Sequence, residues 1–210
     1  MEKADIDYTL YLCTDRSLIK SGTLEETVEQ AILGGCSIVQ LREKECNTKE
    51  FFETAKGIKR ITDKYNIPLI INDRIDIMMA VDAAGVHLGQ EDLPVKEARE
   101  ILGEDKIIGV SAHNIEEAKK AWEEGADYLG VGAIFGTKTK KNTVDTSIAT
   151  LKEICCNVEI PVVAIGGVGL SNISRLKGSG IQGVAVVSAI MVAENVKEVA
   201  EELVKKVGEV

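Results

Sequence analysis

The sequence predicts a (β/α)8 barrel, because short apolar runs alternate with amphipathic segments from one end of the chain to the other. Eight of the apolar runs have the length of strands, and helical patterns separate them. This alternation indicates parallel pairing, and eight such units in 210 residues fit a compact TIM barrel. An open doubly wound sheet is the alternative architecture.

The eight strand candidates share a short apolar core bounded by glycine or polar residues. They are TLYLCT from Thr9, SIVQLR from Ser37, PLIIND from Pro68, GVHLG from Gly85, IIGVSA from Ile107, YLGVG from Tyr128, PVVAIG from Pro161 and GVAVVSA from Gly183. The segments between them are long enough for crossover helices, which parallel strands require.

The helical segments carry recognisable start and stop signals. In TLEETVEQAILGG, Thr23 can cap the helix and Glu26 completes a capping box, whereas Gly125 can end EEAKKAWEEGADY. The last pattern, NVKEVAEELVKKV, follows the eighth strand and places one apolar stripe on a helix, formed by Val196, Val199, Leu203 and Val207.

Composition indicates one domain over residues 1–210, since no Pro/Gly/Ser-rich linker divides the chain. The content is 45% hydrophobic and 28% charged, which is typical of a protein with a large buried core. A net charge of -9 argues against a general nucleic-acid binder and against a binder of anionic membranes. Any basic site must therefore be local.

Five cysteines, an odd number without a C-x-x-C pair, fit reduced thiols in a cytosol. The start MEKADIDYTLYL has no apolar stretch of signal-peptide length, and nowhere do about 18 uninterrupted apolar residues occur. We therefore expect a cytoplasmic location. The oligomeric state is left open.

The second strand candidate is followed directly by charged residues, in the sequence SIVQLREK. With a period of two, Gln40, Arg42 and Lys44 share one face, and Val39 and Leu41 share the other. In a barrel the apolar face packs on the helices and the polar face points inward, near the carboxyl mouth where active sites of this fold lie.

Other strand ends carry polar residues that would meet at the same mouth. Asn72 and Asp73 follow the third strand, Gln90, Glu91 and Asp92 follow the fourth, and Ser111 and His113 end the fifth. This mixture suits a substrate with a diphosphate, because carboxylates hold Mg²⁺, the metal bridges phosphate oxygens, and Arg and Lys neutralise the remaining charge. Surface loop charges that pair with one another are the alternative.

The loop after the sixth strand, AIFGTKTKKNT, contains Lys138, Lys140 and Lys141 and a flexible Gly136. We interpret this loop, from Ala133 to Thr143, as a lid over an anionic ligand. A solvated lysine run is the alternative.

The seventh and eighth strands predict a phosphate site. In AIGGVGLSN, Gly166 and Gly167 would let backbone N–H groups approach an anion, with a helix N-terminus following near Ser171. The eighth strand would end at Val187 and Ser188, and the loops after these two strands form the usual phosphate site of the fold. A tight turn that needs glycine is the alternative.

The ordered motifs QLREK, INDR, GVHLGQEDLP, GVSAHN, IFGTKTK, AIGGV and VVSAI closely resemble the thiamine phosphate synthase family over nearly the whole chain. The resemblance implies a transferase that joins 4-amino-5-hydroxymethyl-2-methylpyrimidine diphosphate to a thiazole phosphate. The thiazole substrate is usually the carboxylated tautomer. The products would be thiamine monophosphate, pyrophosphate and, from that tautomer, CO₂, by a dissociative mechanism.

The resemblance also assigns residues. Mg²⁺ would be held by Asp73 and Asp92. The pyrimidine diphosphate would be bound by Gln40, Arg42 and Lys44 together with Asn72, Ser111 and Lys140. The substrate-binding set would also include Leu41, Glu43 and Lys138. The catalytic set would be Arg42, Lys44, Ser111 and Lys140, and the thiazole phosphate would be bound by Thr137, Thr139, Gly167, Val187 and Ser188.

Two alternatives to the synthase are open at this point. A related thiazole tautomerase shares the barrel and the thiazole-phosphate pocket, but lacks much of the diphosphate machinery that Arg42, Lys44, Asp73, Asp92 and Lys140 would form here. A non-catalytic phosphate-binding barrel would need neither the metal set nor the cation set. The sequence departs from the family pattern at Gly136, where proline is frequent, and this affects the expected stiffness of the loop.

Overall fold

The computed structural model describes residues 3–136 and 144–210. Within them, eight parallel strands close into a barrel in the order β1 to β8, and β8 pairs with β1. The predicted (β/α)8 barrel is therefore confirmed. The strands are β1 (Leu10–Cys13), β2 (Ile38–Leu41), β3 (Leu69–Asn72), β4 (Gly85–Leu88), β5 (Ile107–Ala112), β6 (Tyr128–Val131), β7 (Val162–Ile165) and β8 (Gly183–Val186).

The α-helices of the described residues follow the strands and pack outside them. They are α1 (Leu24–Leu33), α2 (Thr48–Lys64), α3 (Ile75–Ala80), α4 (Val95–Leu102), α5 (Ile115–Glu123), α6 (Ile148–Asn157), α7 (Ser188–Met191) and α8 (Val196–Val207). The expected capping box of α1 is present, with Thr23 accepting from the Glu26 N–H and the Glu26 carboxylate accepting from the Thr23 N–H. The positive φ of Gly125 accompanies the end of α5.

The last third of the barrel differs from the expectation. A 3-10 helix (Ile173–Leu176) with Asn172 at its N-cap connects β7 to β8, so a helix does begin near Ser171, but it is one short 3-10 turn and not an α-helix. Strand β8 ends at Val186, and Ser188 already belongs to the short helix α7. The run VVSAI is apolar enough for a strand, but Val187 leaves the extended conformation with φ -118 and ψ -83 and starts the helix.

Two apolar layers fill the fold, as the alternation in the strands requires. Val39 and Leu41 lie in the layer between barrel and helices. Ile38 lies inside the barrel with Tyr11 and Tyr128. Within the described residues the helices are too short or too polar to cross a membrane.

Candidate active site

A cavity of about 490 Å³ opens at the carboxyl ends of the strands, the end at which active sites of this fold lie. All eight strands or the loops that follow them supply lining residues, from Tyr11 and Cys13 on β1 to Val186 and Val187 at the end of β8. A volume of this size suits a small-molecule substrate.

The floor of the cavity comes from inward-facing positions of the strands. Tyr11 and Tyr128 are fully buried there, and their hydroxyl oxygens lie 2.6 Å apart. On β6 the inward position after Tyr128 is Gly130, which has no side chain to fill the space above the ring. The sequence of β6 therefore builds a closed floor with an open chamber above it.

The cationic part of the wall comes from the end of β2. Gln40, Arg42 and Lys44 line the cavity on one face, as the period of two predicts. Thr14 fixes this strand end, because its hydroxyl accepts from the Arg42 N–H at 3.0 Å and its own N–H donates to the Gln40 carbonyl.

Leu41 and Glu43, predicted to bind substrate, direct their side chains away from the cavity. Leu41 is fully buried between the barrel and the helices. The Glu43 carboxylate accepts from Arg16 at 3.3 Å, and burial raises its pKa while Arg16 opposes the rise. A contact between either residue and a substrate would have to use the backbone.

The acidic part of the wall comes from the ends of β3 and β4. Asp73 has a left-handed backbone with φ 62, an unusual conformation for a residue other than glycine, and its carboxylate pairs with Lys44. The Asp92 carboxylate accepts from the Gly89 N–H at 2.7 Å. Burial raises the pKa of Asp92 and the neighbouring Asp73 raises it further, although the Gly89 N–H and Lys44 oppose the rise. The two predicted metal ligands thus lie together.

The described residues of the cavity wall carry a net negative charge, although the ligands predicted for the cavity are anions. Among the described residues that line the cavity there are two cations, Arg42 and Lys44, and four carboxylates, from Asp73, Glu91, Asp92 and Glu117. With both histidines neutral, this is a formal net charge of -2. A diphosphate would be repelled unless additional cations entered the cavity with it.

The end of β5 brings Ser111 and His113 to the wall, and Asn72 from β3 lines the same cavity. The Ser111 hydroxyl lies 2.9 Å from Nε2 of His87, and the Ser111 carbonyl accepts from Gln90 at 2.6 Å. Glu117 holds His113 in place. The Glu117 carboxylate accepts from the backbone N–H of His113 and lies 2.9 Å from Nδ1 of His113.

The far wall comes from β7 and β8. Gly166, Gly167, Val187 and Ser188 line the cavity as expected, but the two glycines have a packing role as well. Both have positive φ, and a Cβ on Gly166 would lie 2.5 Å from the Cα of Ala133. A Cβ on Gly167 would lie 2.2 Å from the carbonyl oxygen of Gly136. The start of the β6–α6 loop therefore runs directly against this turn.

Thr137, Lys138, Thr139 and Lys140 lie outside the described residues, as does most of the expected lid. The described start of that loop pairs with the end of β7, since the N–H groups of Ile134 and Phe135 donate to Ile165 and Gly166. Lysine contacts with a substrate from this loop stay predictions.

Sequence reasoning missed Tyr11 and Tyr128 as parts of the site. Their signal is present in the alternation of β1 and β6, where each tyrosine shares the inward face with a polar or small residue nearer the mouth. His87, expected to be packed and hydrogen-bonded, is both, and it lines the cavity as well.

The fold and the cavity place the chain among (β/α)8-barrel enzymes with a charged small-molecule site at the carboxyl ends of the strands. Residues 10–190 match the family model described as thiamine monophosphate synthase. The chain belongs to this family, whose members are transferases, so the predictions of family and of enzymatic activity are confirmed.

Individual relatives agree over nearly the whole chain. The thiamine-phosphate synthase of Clostridium tetani is 58% identical over 203 residues, covering 97% of each chain. That of Methanobrevibacter smithii is 52% identical over 202 residues, covering 96% of each. Among solved structures, the thiamine phosphate pyrophosphorylase of Pyrococcus furiosus matches with a TM-score of 0.89 and 41% identity, covering 97% of both chains. These relatives support thiamine monophosphate synthesis as the activity.

Proposed function

We propose that this enzyme condenses 4-amino-5-hydroxymethyl-2-methylpyrimidine diphosphate with a thiazole phosphate, releasing pyrophosphate and forming thiamine monophosphate. When the thiazole is carboxylated, CO₂ is released as well. The observation that carries the proposal is that a cationic strand end, Arg42 and Lys44, and two adjacent carboxylates, Asp73 and Asp92, line the same rim.

The acidic wall supports Mg²⁺ as the cofactor. The pKa of Asp92 is raised by burial and by Asp73, which means that the ligand-free site holds two carboxylates that disfavour each other's charge. Within residues 3–136 and 144–210 no group of three or more ligating side chains forms a metal site by itself. Mg²⁺ typically uses one or two carboxylates plus substrate phosphates, so Asp73 and Asp92 fit as its protein ligands. When bound with the diphosphate, the metal would neutralise charge on the leaving pyrophosphate.

The protein residues position the diphosphate and stabilise its departure. Arg42 forms no ion pair with a described carboxylate, so its charge is available to the ligand. Lys44 is paired with Asp73, and this contact would be exchanged for one with phosphate when a cation takes the carboxylate. Lys140, outside the described residues, would add a third positive charge. These groups stabilise charge that develops as the carbon–oxygen bond breaks.

The reaction needs no covalent nucleophile from the protein. The electron pair of the broken carbon–oxygen bond leaves with pyrophosphate, and the pyrimidine methyl cation is stabilised by its amino-substituted ring. The thiazole nitrogen then donates its lone pair to form the new carbon–nitrogen bond. The floor of Tyr11 and Tyr128 would hold the pyrimidine ring. The turn at Gly167 and the start of α7 at Ser188 would hold the thiazole phosphate, and these two contacts would set the distance between the reacting atoms.

The two alternatives are not favoured. A tautomerase would need neither the cations of β2 nor the paired carboxylates, and a non-catalytic barrel would need no metal site. The deciding experiment mixes purified protein with both substrates and Mg²⁺ and measures pyrophosphate and thiamine monophosphate. The proposal predicts that both products form in equal amounts, only with both substrates, and not in excess chelator. Conversion of the thiazole alone, without pyrophosphate release, would contradict it.

A further inference from the structure

Five side chains join across the barrel interior in one continuous run of hydrogen bonds. Gln40 Nε2 donates to the Tyr11 hydroxyl at 2.8 Å, and the hydroxyls of Tyr11 and Tyr128 lie 2.6 Å apart. The Tyr128 hydroxyl lies 2.9 Å from Nδ1 of His87, and Nε2 of His87 lies 2.9 Å from the Ser111 hydroxyl. We call these five residues the Gln40–Ser111 chain.

The first member gives the chain a direction. A carboxamide nitrogen only donates, so the Tyr11 oxygen accepts from Gln40 and its own proton must go elsewhere. The available acceptor in the chain is the Tyr128 oxygen, and the Tyr128 proton then goes to Nδ1 of His87. With Nδ1 accepting, a neutral imidazole carries its proton on Nε2 and donates it to the Ser111 oxygen.

The opposite direction leaves a buried donor without an acceptor in the chain. If Nδ1–H of His87 donated to Tyr128, Tyr128 would donate to Tyr11, and the Tyr11 oxygen would accept twice. Its proton would then have no acceptor among these five residues, at a position only 1% exposed. Burial raises the pKa of both Tyr11 and Tyr128 well above the usual value, so both keep their protons. An imidazolium at His87 would meet the same obstacle.

We infer that the Gln40–Ser111 chain is polarised toward the cavity, holding His87 as the Nε2–H tautomer and turning the Ser111 hydroxyl proton outward as a donor to the substrate. Ser111 contacts the substrate, whereas His87 and Tyr128 are positioning residues that act through it. The ligand atom at Ser111 must then be an acceptor, and the inference assigns it to the pyrimidine diphosphate. This last step rests on the proposed function, but the direction of the chain does not.

The direction of the chain can be measured without substrate. Long-range ¹H–¹⁵N NMR of the imidazoles distinguishes a protonated Nε2 from a protonated Nδ1. The protein has only two histidines, so the signals are few. Loss of one set of signals in His87→Gln assigns the other set to His113. We expect an unprotonated Nδ1 and a protonated Nε2 at His87 in the free enzyme. A protonated Nδ1, as the other tautomer or as an imidazolium, would overturn the inference.

The positioning role is tested with a double-mutant cycle in the synthase assay. Tyr128→Phe should lower kcat by about tenfold, less than the roughly hundredfold expected when a preorganised donor such as Ser111 is deleted. In a Ser111→Ala background, Tyr128→Phe should cost little, because Tyr128 acts through the missing hydroxyl. Independent, multiplying losses would refute the positioning role.

The matched control is Tyr8→Phe. The Tyr8 ring packs against Tyr128 with centroids 5.3 Å apart, but its hydroxyl is not a member of the chain. Tyr8→Phe should leave both kcat and the His87 tautomer unchanged. A decrease in kcat equal to that of Tyr128→Phe would overturn the inference. If Tyr128→Phe does not fold, the tautomer of the wild-type protein still decides.

Failure of the inference and failure of the proposed function give different results. The expected tautomer without thiamine monophosphate synthesis would refute the proposed function alone. Full synthesis with a protonated Nδ1 at His87 would refute the polarised chain alone.

Discussion

Gly109 on β5 is the position where the smallest change should do the most damage to the floor of the site. An added Cβ would lie 2.0 Å from Cζ of Tyr128 and 2.2 Å from its hydroxyl oxygen. Carbon atoms that are not bonded prefer about 3.5 to 4.0 Å, so Gly109→Ala requires the ring to shift by about 1.5 Å. Tyr128 is fully buried, and its hydrogen bonds of 2.6 Å to Tyr11 and 2.9 Å to His87 would not survive that shift.

The expected loss of stability follows from this overlap. Inserting a carbon into a packed core costs about 1 to 3 kcal/mol. For a chain of this length, each kcal/mol lowers the midpoint of thermal unfolding by about 2 to 4 °C. Circular dichroism should therefore show a midpoint about 2 to 12 °C lower, and the synthase rate should fall even at temperatures where the variant is folded.

Gly208→Ala is the control for Gly109→Ala. Gly208 has a helical φ of -62, and a Cβ there would meet its nearest atom at an ordinary 3.5 Å. Its effect should stay within about 0.5 kcal/mol. Combining Gly109→Ala with Tyr128→Leu places a smaller side chain against the added Cβ. The loss of stability in this double variant should therefore be less than the sum of the losses in the two single variants. A wild-type midpoint for Gly109→Ala, or strict additivity with Tyr128→Leu, would refute the reasoning.

Two further predictions concern the charged wall. Arg42→Met should weaken binding of the pyrimidine diphosphate by about 2 to 5 kcal/mol, or roughly 30-fold to 4000-fold in Kd by calorimetry, and should change thiazole phosphate binding little. In the wild-type protein, Mg²⁺ and pyrophosphate together should raise the midpoint of thermal unfolding, and Asp92→Asn should abolish this rise. The same variant should raise the midpoint of the ligand-free protein at neutral pH by about 1 to 4 °C. The sign follows because the folded-state pKa of Asp92 is raised by burial and by Asp73. Its contribution to stability therefore falls as pH rises from the usual carboxylate range through the folded pKa.

Each of these has its own check. Arg16→Met removes the same charge outside the cavity, where Arg16 contacts Glu43, and should leave both affinities unchanged. Weaker thiazole phosphate binding with intact diphosphate binding in Arg42→Met would mean that the two pockets are exchanged. For Asp92→Asn, the gain in midpoint should shrink as the pH is lowered and Asp92 takes up its proton. A gain that is constant with pH would show that charge is not its cause.

The positions of several site residues follow from local pattern alone. The period of two in β2 places Gln40 and Arg42 on the inward face, whatever the exact curvature of the sheet, because alternation is a property of every strand. Once the eight strands are recognised as parallel, their carboxyl ends are predicted to lie at the same end of the barrel. Asp73 after β3 and Asp92 after β4 are therefore predicted to share one rim, and both line the cavity there. Glu43 follows the same alternation, since it shares the outward face with Leu41 and does not line the cavity. Its expected contact with substrate came from the family resemblance and not from the period of two.

The sequence by itself determined the barrel, its inward faces and the rim on which the charges meet, since these depend on periodicity and on the order of elements. Only the tertiary structure decided which inward side chains touch. Tyr11 and Tyr128 are 117 positions apart and meet because strands on different sides of the barrel direct them to the same level of the interior. Contacts of this kind depend on the stagger and closure of all eight strands together, which no local stretch of sequence encodes.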